Sequence, residues 1–209
     1  MELVTTSRIA RLEKRGATYD DLVKVPDHEV AEIVGGDLYV SPRPAAPHAL
    51  AAATLMVEIG GPFHRGRGGP GGWWILLEPE LHLGGHVLVP DLAGWRRERM
   101  SRVPDAPALT VAPDWVCEVA SPSTEKLDRT RKLPAYASQG VGNLWLVNPL
   151  TRTLEVYRRV GSGWLLVTAH ADDALVRAEP FDALELDLLA LWGEEREAAG
   201  PGLAGPRQP

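Results

Sequence analysis

Residues 114–149 read DWVCEVASPSTEKLDRTRKLPAYASQGVGNLWLVNP, and this stretch predicts a strand, a helix and a second strand in succession. Its apolar start is typical of a strand, and Ser121 is typical of a helix start, because a hydroxyl caps the first turn. We expect the helix to end at Gly140 and to be weakened or kinked at Pro134. The run over 143–149 has few polar positions, so it predicts a buried strand.

The flanking sequence adds strands and one further helix on both sides of this unit. In chain order we predict a hairpin over 31–42, a helix over 48–60, strands over 73–83 and 86–95, a hairpin over 154–170 and a final apolar segment over 181–192. Strands that alternate with a few helices predict an α/β domain in which helices flank one central mixed β-sheet, with extra β-hairpins.

The length of 209 residues fits a single domain with terminal extensions. We expect the domain over 31–192, a polar N-terminal arm over 1–30 and a flexible tail over 193–209. The arm is expected to contain short helical stretches around 7–14 and 19–23.

The composition excludes several classes of protein. Acidic residues outnumber basic ones by 28 to 22, so binding to nucleic acid through net positive charge is excluded, although a local basic stripe would suffice for it. The single cysteine, Cys117, excludes an internal disulfide and a zinc site built from several cysteines. No apolar run approaches the length of a membrane span, and the N-terminus lacks the features of a signal peptide, so we expect a cytoplasmic protein.

Two carboxylates lie inside apolar, strand-like runs. Asp91 lies in LVPDL and Glu118 in WVCEV. A carboxylate in such a run costs free energy unless it is paired, protonated or bound to a cation. Two acids on neighbouring strands would form an oxygen site suited to Mg²⁺ or Mn²⁺. The alternative is that each points to the solvent face of a half-covered sheet. Pro90 favours the first interpretation, because it marks a strand irregularity that can redirect a side chain.

The helix after Glu118 carries two of the four lysines in the chain, Lys126 and Lys132. Lys132 can fold back over the end of the sheet and supply a positive charge near Glu118. Asp128 lies four residues before Lys132, and we expect a simple surface ion pair between them.

Three segments together resemble the Uma-two family, bacterial proteins of the PD-(D/E)XK restriction-endonuclease-like class. They are the run EVASPSTEKLDRTRKLPAYASQGVGNLWLVNPLTRTLEVYR (118–158), the opening AEIVGGDLYVSPRPAAPHA (31–49) and VLVPDLAGW (87–95). The resemblance covers roughly residues 30–192. It implies a restriction-endonuclease-like core for the central sheet.

The resemblance also implies roles for individual residues. Asp91 matches the aspartate of the Pro-Asp motif and Glu118 the acid of the (D/E)XK motif, so both would bind the divalent metal. Ala120 stands where the motif has its lysine, and Lys132 matches the lysine that is displaced to the following helix in this family. Lys126 is the weaker match, because it lies nearer the start of the helix.

Glu32 matches a family glutamate in the opening hairpin, either as a third acid of the site or as an ordinary exposed strand residue. The main-chain carbonyl of Val119 is a further candidate oxygen ligand for the metal. Glu78 stays ambiguous, since it precedes Pro79 in a strand expected to pair with the Asp91 strand.

Other polar residues carry weaker signals. We expect His48 to be a capping or packing residue and Cys117 to be a small buried hydrophobe on the face of its strand opposite Glu118. Candidates for phosphate contacts, or else for a solvated loop, are Arg96, Arg97, Arg99 and Arg102.

These features favour a Mg²⁺- or Mn²⁺-dependent nuclease that hydrolyses phosphodiester bonds, with DNA favoured over RNA as the substrate. The alternatives are a non-catalytic nuclease-like scaffold for binding or assembly and, less favoured, a small-molecule-binding α/β domain. We also expect a homodimer, because Trp164, Leu165, Leu166 and Val167 form an apolar run in an outer hairpin.

Overall fold

Two main β-sheets and a few short helices form the described part of the chain, residues 9–197 of this computed structural model. The strands are β1 (Arg11–Lys14), β2 (Glu29–Val34), β3 (Asp37–Pro42), β4 (Trp73–Leu77), β5 (Leu81–Leu83), β6 (His86–Leu88), β7 (Leu92–Arg96), β8 (Trp115–Val119), β9 (Asn143–Asn148), β10 (Thr153–Val160), β11 (Gly163–Ala171), β12 (Leu175–Val176) and β13 (Leu186–Asp187). The helices are α1 (Tyr19–Leu22), α2 (Ala46–Ile59), α3 (Glu125–Leu127), α4 (Leu133–Ser138) and α5 (Leu188–Leu191), and π-helical turns span Gly60–His64 and Asp128–Lys132.

The larger sheet has six strands in the spatial order β11-β10-β9-β8-β7-β4. Strands β8 and β9 are parallel, and the helical segments between them form the crossover that a parallel pair requires. The other neighbours in this sheet are antiparallel. A mixed sheet flanked by few helices and extended by hairpins confirms the predicted fold class.

Both faces of the larger sheet are covered by apolar side chains. Helix α2 packs on one face, where Ala51, Leu55 and Ile59 join the same core as Cys117 of β8. Helix α4 covers the other face, where its residues join Val116 and Leu144. Because side chains alternate along a strand, Glu118 shares the α4 side with Val116, while Cys117 is buried on the α2 side as predicted.

The smaller sheet has the strand order β1-β3-β2-β6-β5. Its strand β6 and strand β7 of the larger sheet are separated only by Val89, Pro90 and Asp91. The chain therefore passes from one sheet to the other at the Pro-Asp motif. Pro90 lacks an amide hydrogen for a strand ladder, which agrees with the irregularity predicted there.

The helical segment after β8 is interrupted by the π-helical turn Asp128–Lys132. The amide of Leu133 donates to the carbonyl of Asp128, five residues earlier, instead of four. Pro134 has no amide hydrogen to continue an α-helical pattern, which accounts for a weakened turn at this point. Asp128 and Lys132 both point into the protein from this turn.

The N-terminal arm differs from the prediction in one respect. Residues 11–14 form strand β1, which pairs with β3, so the helix expected around 7–14 is wrong over these residues. Pairing with a neighbouring strand outweighs a weak local helix preference. The second expected helix is present as α1. The domain limits at 30 and 192 stay a prediction, and most of the predicted tail, residues 198–209, lies outside the described residues.

None of the helices among the described residues is both long and apolar enough to cross a membrane.

Candidate active site around Lys132

A pocket of about 80 Å³ opens where β7 begins and β8 ends. It lies next to the crossover between the sheets, the three residues 89–91 where the chain passes from one sheet to the other. We call it the Lys132 pocket. Five carboxyl side chains line it, together with three groups that can carry positive charge. The carboxyls belong to Glu32, Glu78, Asp91, Glu118 and Asp128, and the other groups to Arg43, His48 and Lys132.

The Lys132 ammonium lies among three buried carboxyls. Its Nζ lies 2.9 Å from Glu32 Oε1, 2.9 Å from Glu118 Oε1 and 3.8 Å from Asp128 Oδ1. Lys132 itself is 3% exposed. One buried cation thus joins the opening hairpin to strand β8 and the π-helical turn, which lie much further along the chain.

Burial and the neighbouring charges shift the pKa values of Lys132, Glu118 and Asp128. Burial lowers the pKa of Lys132, but Glu118, Glu32 and Asp128 together raise it more, so its pKa lies well above the ordinary value. Burial raises the pKa of Glu118 well above its usual range, although Lys132 opposes the change. Burial also raises the pKa of Asp128 to about 6. Lys132 therefore stays protonated, and Glu118 and Asp128 ionise less readily than ordinary carboxyls.

Glu118 has a second buried partner that sequence analysis missed as a site residue. The Tyr136 hydroxyl donates to Glu118 Oε1 at 2.6 Å. Tyr136 lies four residues after Lys132, so the helical spacing that places the two on one side was a usable signal. Both oxygens of Glu118 therefore accept hydrogen bonds, since Lys132 donates to Oε2 at 3.0 Å.

Asp91 is held by one main-chain and one side-chain contact. The amide of Val119 donates to Asp91 Oδ2 at 2.7 Å, and Nε2 of His48 lies 3.1 Å from Asp91 Oδ1. The hydrogen bond from Val119 ties Asp91, just before β7, to the end of β8, next to Glu118. The two acids that the sequence singled out thus line one pocket.

Glu32 is buried, and it connects Lys132 to the crossover between the sheets. Its Oε1 accepts a hydrogen bond of 2.8 Å from the amide of Val89, two residues before Asp91, and also contacts Lys132. Glu32 therefore helps to fix the segment that carries Asp91, and it is not the exposed strand acid of the alternative interpretation.

The expectation of a surface ion pair at Asp128 is wrong. Asp128 is 2% exposed and faces the same pocket as Lys132. An exposed pair and a buried pair share the same spacing in sequence, so spacing alone could not distinguish them. Lys126, in contrast, is exposed and does not line the pocket.

Glu78 lies at the pocket with a strained backbone. Its φ is +44°, and its amide donates to the carbonyl of Asp91 at 3.0 Å. A left-handed conformation is unfavourable for residues other than glycine, and here Pro79 follows directly. The predicted pairing of its strand with the Asp91 segment is thus present at the main chain, and its side chain is exposed.

The arginine-rich loop is not part of the pocket. Arg96 ends β7, five residues after Asp91, which at about 3.3 Å per residue places it about 17 Å away. Its guanidinium lies over the Trp73 ring, and Arg99 pairs with Asp114 at 2.6 Å. These side chains make local contacts at the opposite end of the sheet.

The carboxyl oxygens that line the Lys132 pocket are suitable ligands for a hard divalent cation. Within residues 9–197, no group of three or more His, Cys, Asp and Glu side chains is arranged as a ready metal site. Mg²⁺ requires less, because proteins hold it through one or two carboxylates and water or substrate phosphate supplies the other ligands. Asp91 and Glu118 provide two carboxyls, and a bound cation would favour their ionised form.

Comparison with known proteins gives a family and a fold. The model of the Uma2 family, described as "Putative restriction endonuclease", matches residues 17–189. A solved structure described as a "putative nuclease belonging to DUF820" from Anabaena variabilis superposes with a TM-score of 0.69 and 24% sequence identity. The match covers 85% of this chain and 98% of that chain, and at this identity it shows a shared fold. No curated protein matches the chain.

Asp128 predicts a defined pH dependence of stability. Its pKa of about 6 in the folded protein exceeds the ordinary value, so the folded state holds this proton more tightly than the unfolded chain. The resulting contribution to stability is present near pH 4 and is lost as the pH rises through about 6. Asp128→Asn removes this dependence. We therefore expect the difference in unfolding free energy, variant minus parent, to increase by up to about 3 kcal/mol from about pH 4 to pH 7.5.

Denaturant unfolding at both pH values measures this difference, with Asp105→Asn, an exposed substitution, as the control. An equal difference at the two pH values for Asp128→Asn would show that the buried carboxyl has an ordinary pKa.

Proposed function

Because this chain belongs to the Uma2 family of restriction-endonuclease-like proteins, we propose that it hydrolyses phosphodiester bonds of nucleic acid at the Lys132 pocket. The observation that carries the proposal is the buried Lys132 ammonium, which is surrounded by carboxyls from three separate elements at the end of two adjacent strands. Such a charged cluster costs free energy to bury, so a purely structural role accounts for it poorly. We propose DNA as the substrate in preference to RNA, by the description of the family.

Asp91 and Glu118, with the main-chain carbonyl of Val119, would hold Mg²⁺ or Mn²⁺, since all three offer hard oxygen ligands. Such an ion, when bound, polarises the phosphate and lowers the pKa of a water molecule. The hydrogen bond from the amide of Val119 orients the Asp91 carboxylate. Lys132 and Tyr136 orient Glu118 in the same way.

Lys132 would act through its positive charge. A raised pKa keeps the ammonium protonated, so it is unsuited to accept a proton from water. A fixed positive charge beside a phosphate stabilises the negative charge that develops during hydrolysis. Glu32 completes the catalytic set of Asp91, Glu118 and Lys132, because it holds both Lys132 and the segment that carries Asp91.

Metal binding is the first expected property of the pocket. A ligand that binds only the folded state raises the unfolding free energy, by about 2.7 kcal/mol at a hundred times its Kd. We expect millimolar Mn²⁺ or Mg²⁺ to raise the thermal midpoint of the parent. Asp91→Asn and Glu118→Gln should lose this shift, because each removes a charged oxygen ligand.

Glu98→Gln, which changes an exposed carboxyl in the loop after β7, is the control and should keep the shift. An unchanged midpoint of the parent at millimolar metal would favour the non-catalytic scaffold.

Lys132 and Lys126 provide a matched pair for the cleavage reaction. We expect Lys132→Ala to lower the rate of metal-dependent DNA cleavage by about 10²-fold or more, the usual scale for one lost electrostatic stabiliser. Lys126→Ala should cleave like the parent, because Lys126 is exposed outside the pocket. Lys132→Arg should restore little, since a planar guanidinium does not replace a compact ammonium.

Each variant is first checked for folding by circular dichroism, because removing Lys132 leaves buried carboxyls without their cation. Loss of cleavage in Lys126→Ala but not in Lys132→Ala would show that the reaction depends on Lys126 and not on Lys132. Absence of metal-dependent cleavage by the parent on both DNA and RNA would favour the scaffold.

We also propose a homodimer formed through β11. This nine-residue strand lies at the edge of the larger sheet and contains no Asp, Glu, Lys or Arg. Leu165, Leu166 and Val167 are 51%, 49% and 40% exposed. Edge strands of monomers are usually protected by charge or proline. Antiparallel pairing with the β11 of a second copy would cover the edge and place no like charges opposite one another.

Light scattering at micromolar concentration tests the dimer. We expect twice the chain mass of 22.7 kDa for the parent and the single mass for Leu166→Lys, because a charge on the edge opposes pairing. Leu175→Lys, at an equally exposed leucine outside β11, should stay dimeric. A parent that scatters as a single chain would contradict the proposal.

A further inference from the structure

His48 occupies a position where helix α2 otherwise buries apolar side chains. The buried residues of this helix are His48, Ala51, Leu55 and Ile59, a spacing that forms one stripe along it. The last three pack in the core beneath the larger sheet. The cap of the helix is Ala45, so His48 does not serve as the cap. A polar ring in this stripe requires a polar partner.

The partner of His48 is Asp91. Nε2 lies 3.1 Å from Asp91 Oδ1, whereas Nδ1 is buried and has no hydrogen-bond partner among the described residues. A nitrogen that faces a carboxylate oxygen must donate, so the hydrogen is assigned to Nε2. With the hydrogen on Nε2, Nδ1 holds a lone pair, which costs less to bury without a partner than an N–H does.

This arrangement limits what His48 can do. Its Nδ1 is enclosed by protein atoms, and its Nε2 is occupied by Asp91, so neither nitrogen is available to a substrate. His48 therefore acts through Asp91. The amide of Val119 donates to the other oxygen, Oδ2. Two donors on two oxygens fix the plane of the carboxylate, and the remaining lone pairs are free for another ligand.

We infer that His48 is a positioning residue, which holds the Asp91 carboxylate in the orientation needed to bind a divalent cation. The inference rests on the proposed function of the Lys132 pocket. Hydrogen-bond partners of metal ligands typically contribute 10- to 100-fold to metal affinity, because they fix the orientation of the ligand. A purely packing role would affect folding and leave metal affinity unchanged.

Two substitutions of His48 separate a positioning role from a packing role, because Gln and Asn carry the same amide donor on side chains of different length. In His48→Gln the side-chain nitrogen lies near the former Nε2 position and can still reach Asp91. In His48→Asn it lies near the former Nδ1 position and cannot. We expect the Kd for Mn²⁺, measured by calorimetry, to stay within about threefold of the parent for Gln and to rise by about 10- to 100-fold for Asn.

Thermal midpoints in chelator show that each variant is folded, and His48→Met replaces His48→Asn as the variant without a donor if the latter does not fold. His64→Gln is the control. His64 lies outside the pocket with Nδ1 3.0 Å from the main-chain nitrogen of Ile75, so its replacement should leave Mn²⁺ affinity unchanged.

The possible results distinguish the positioning role of His48 from the proposed metal site on which it depends. A parent that binds no Mn²⁺ overturns both. Parent-like affinity in His48→Asn, or in His48→Met, overturns the positioning role and leaves the metal site standing. Equal loss in the Gln and Asn variants overturns positioning by a hydrogen bond, because the donor at the correct reach then fails to restore affinity.

Discussion

A single buried ammonium, that of Lys132, must balance several buried carboxyls, and the arrangement of the pocket depends on this constraint. Glu32 and Glu118 contact it directly, and Asp128 lies close by. Removing charges from water is costly, so such a group is stable only when its members satisfy one another. The ammonium does not balance all of them, so the pocket holds carboxyls whose ionised form a bound cation would stabilise.

The fold brings these charged groups together by joining the two sheets at one point. Val89, Pro90 and Asp91 pass from the smaller sheet to the larger one, and Glu32 holds this crossover through the amide of Val89. On the other side, Pro134 interrupts the helical segment just after the π-helical turn that directs Lys132 inward. Backbone irregularities on both sides of the pocket therefore place side chains where a regular strand or helix would not.

Local sequence was sufficient to predict the strand–helix–strand unit and to single out Asp91 and Glu118, because a carboxylate in an apolar run is costly unless it has a partner. Both line one pocket, and their role as metal ligands stays a prediction. The roles of Asp128, Tyr136 and His48 depended on tertiary contacts. Asp128 and Lys132 have the spacing of an ordinary surface ion pair. His48 contacts Asp91, which lies 43 residues later in the sequence (91 minus 48). Strand β1 was missed for a similar reason, since its partner β3 lies far from it in the sequence.

The most direct test of a cation site at the Lys132 pocket is a crystal structure of the protein grown with Mn²⁺ and measured at an X-ray wavelength where manganese scatters anomalously. We expect an anomalous peak within coordination distance, about 2.2 Å, of oxygens of both Asp91 and Glu118, with Lys132 still beside Glu118. A fully occupied peak elsewhere, or an empty pocket at saturating Mn²⁺, would contradict it.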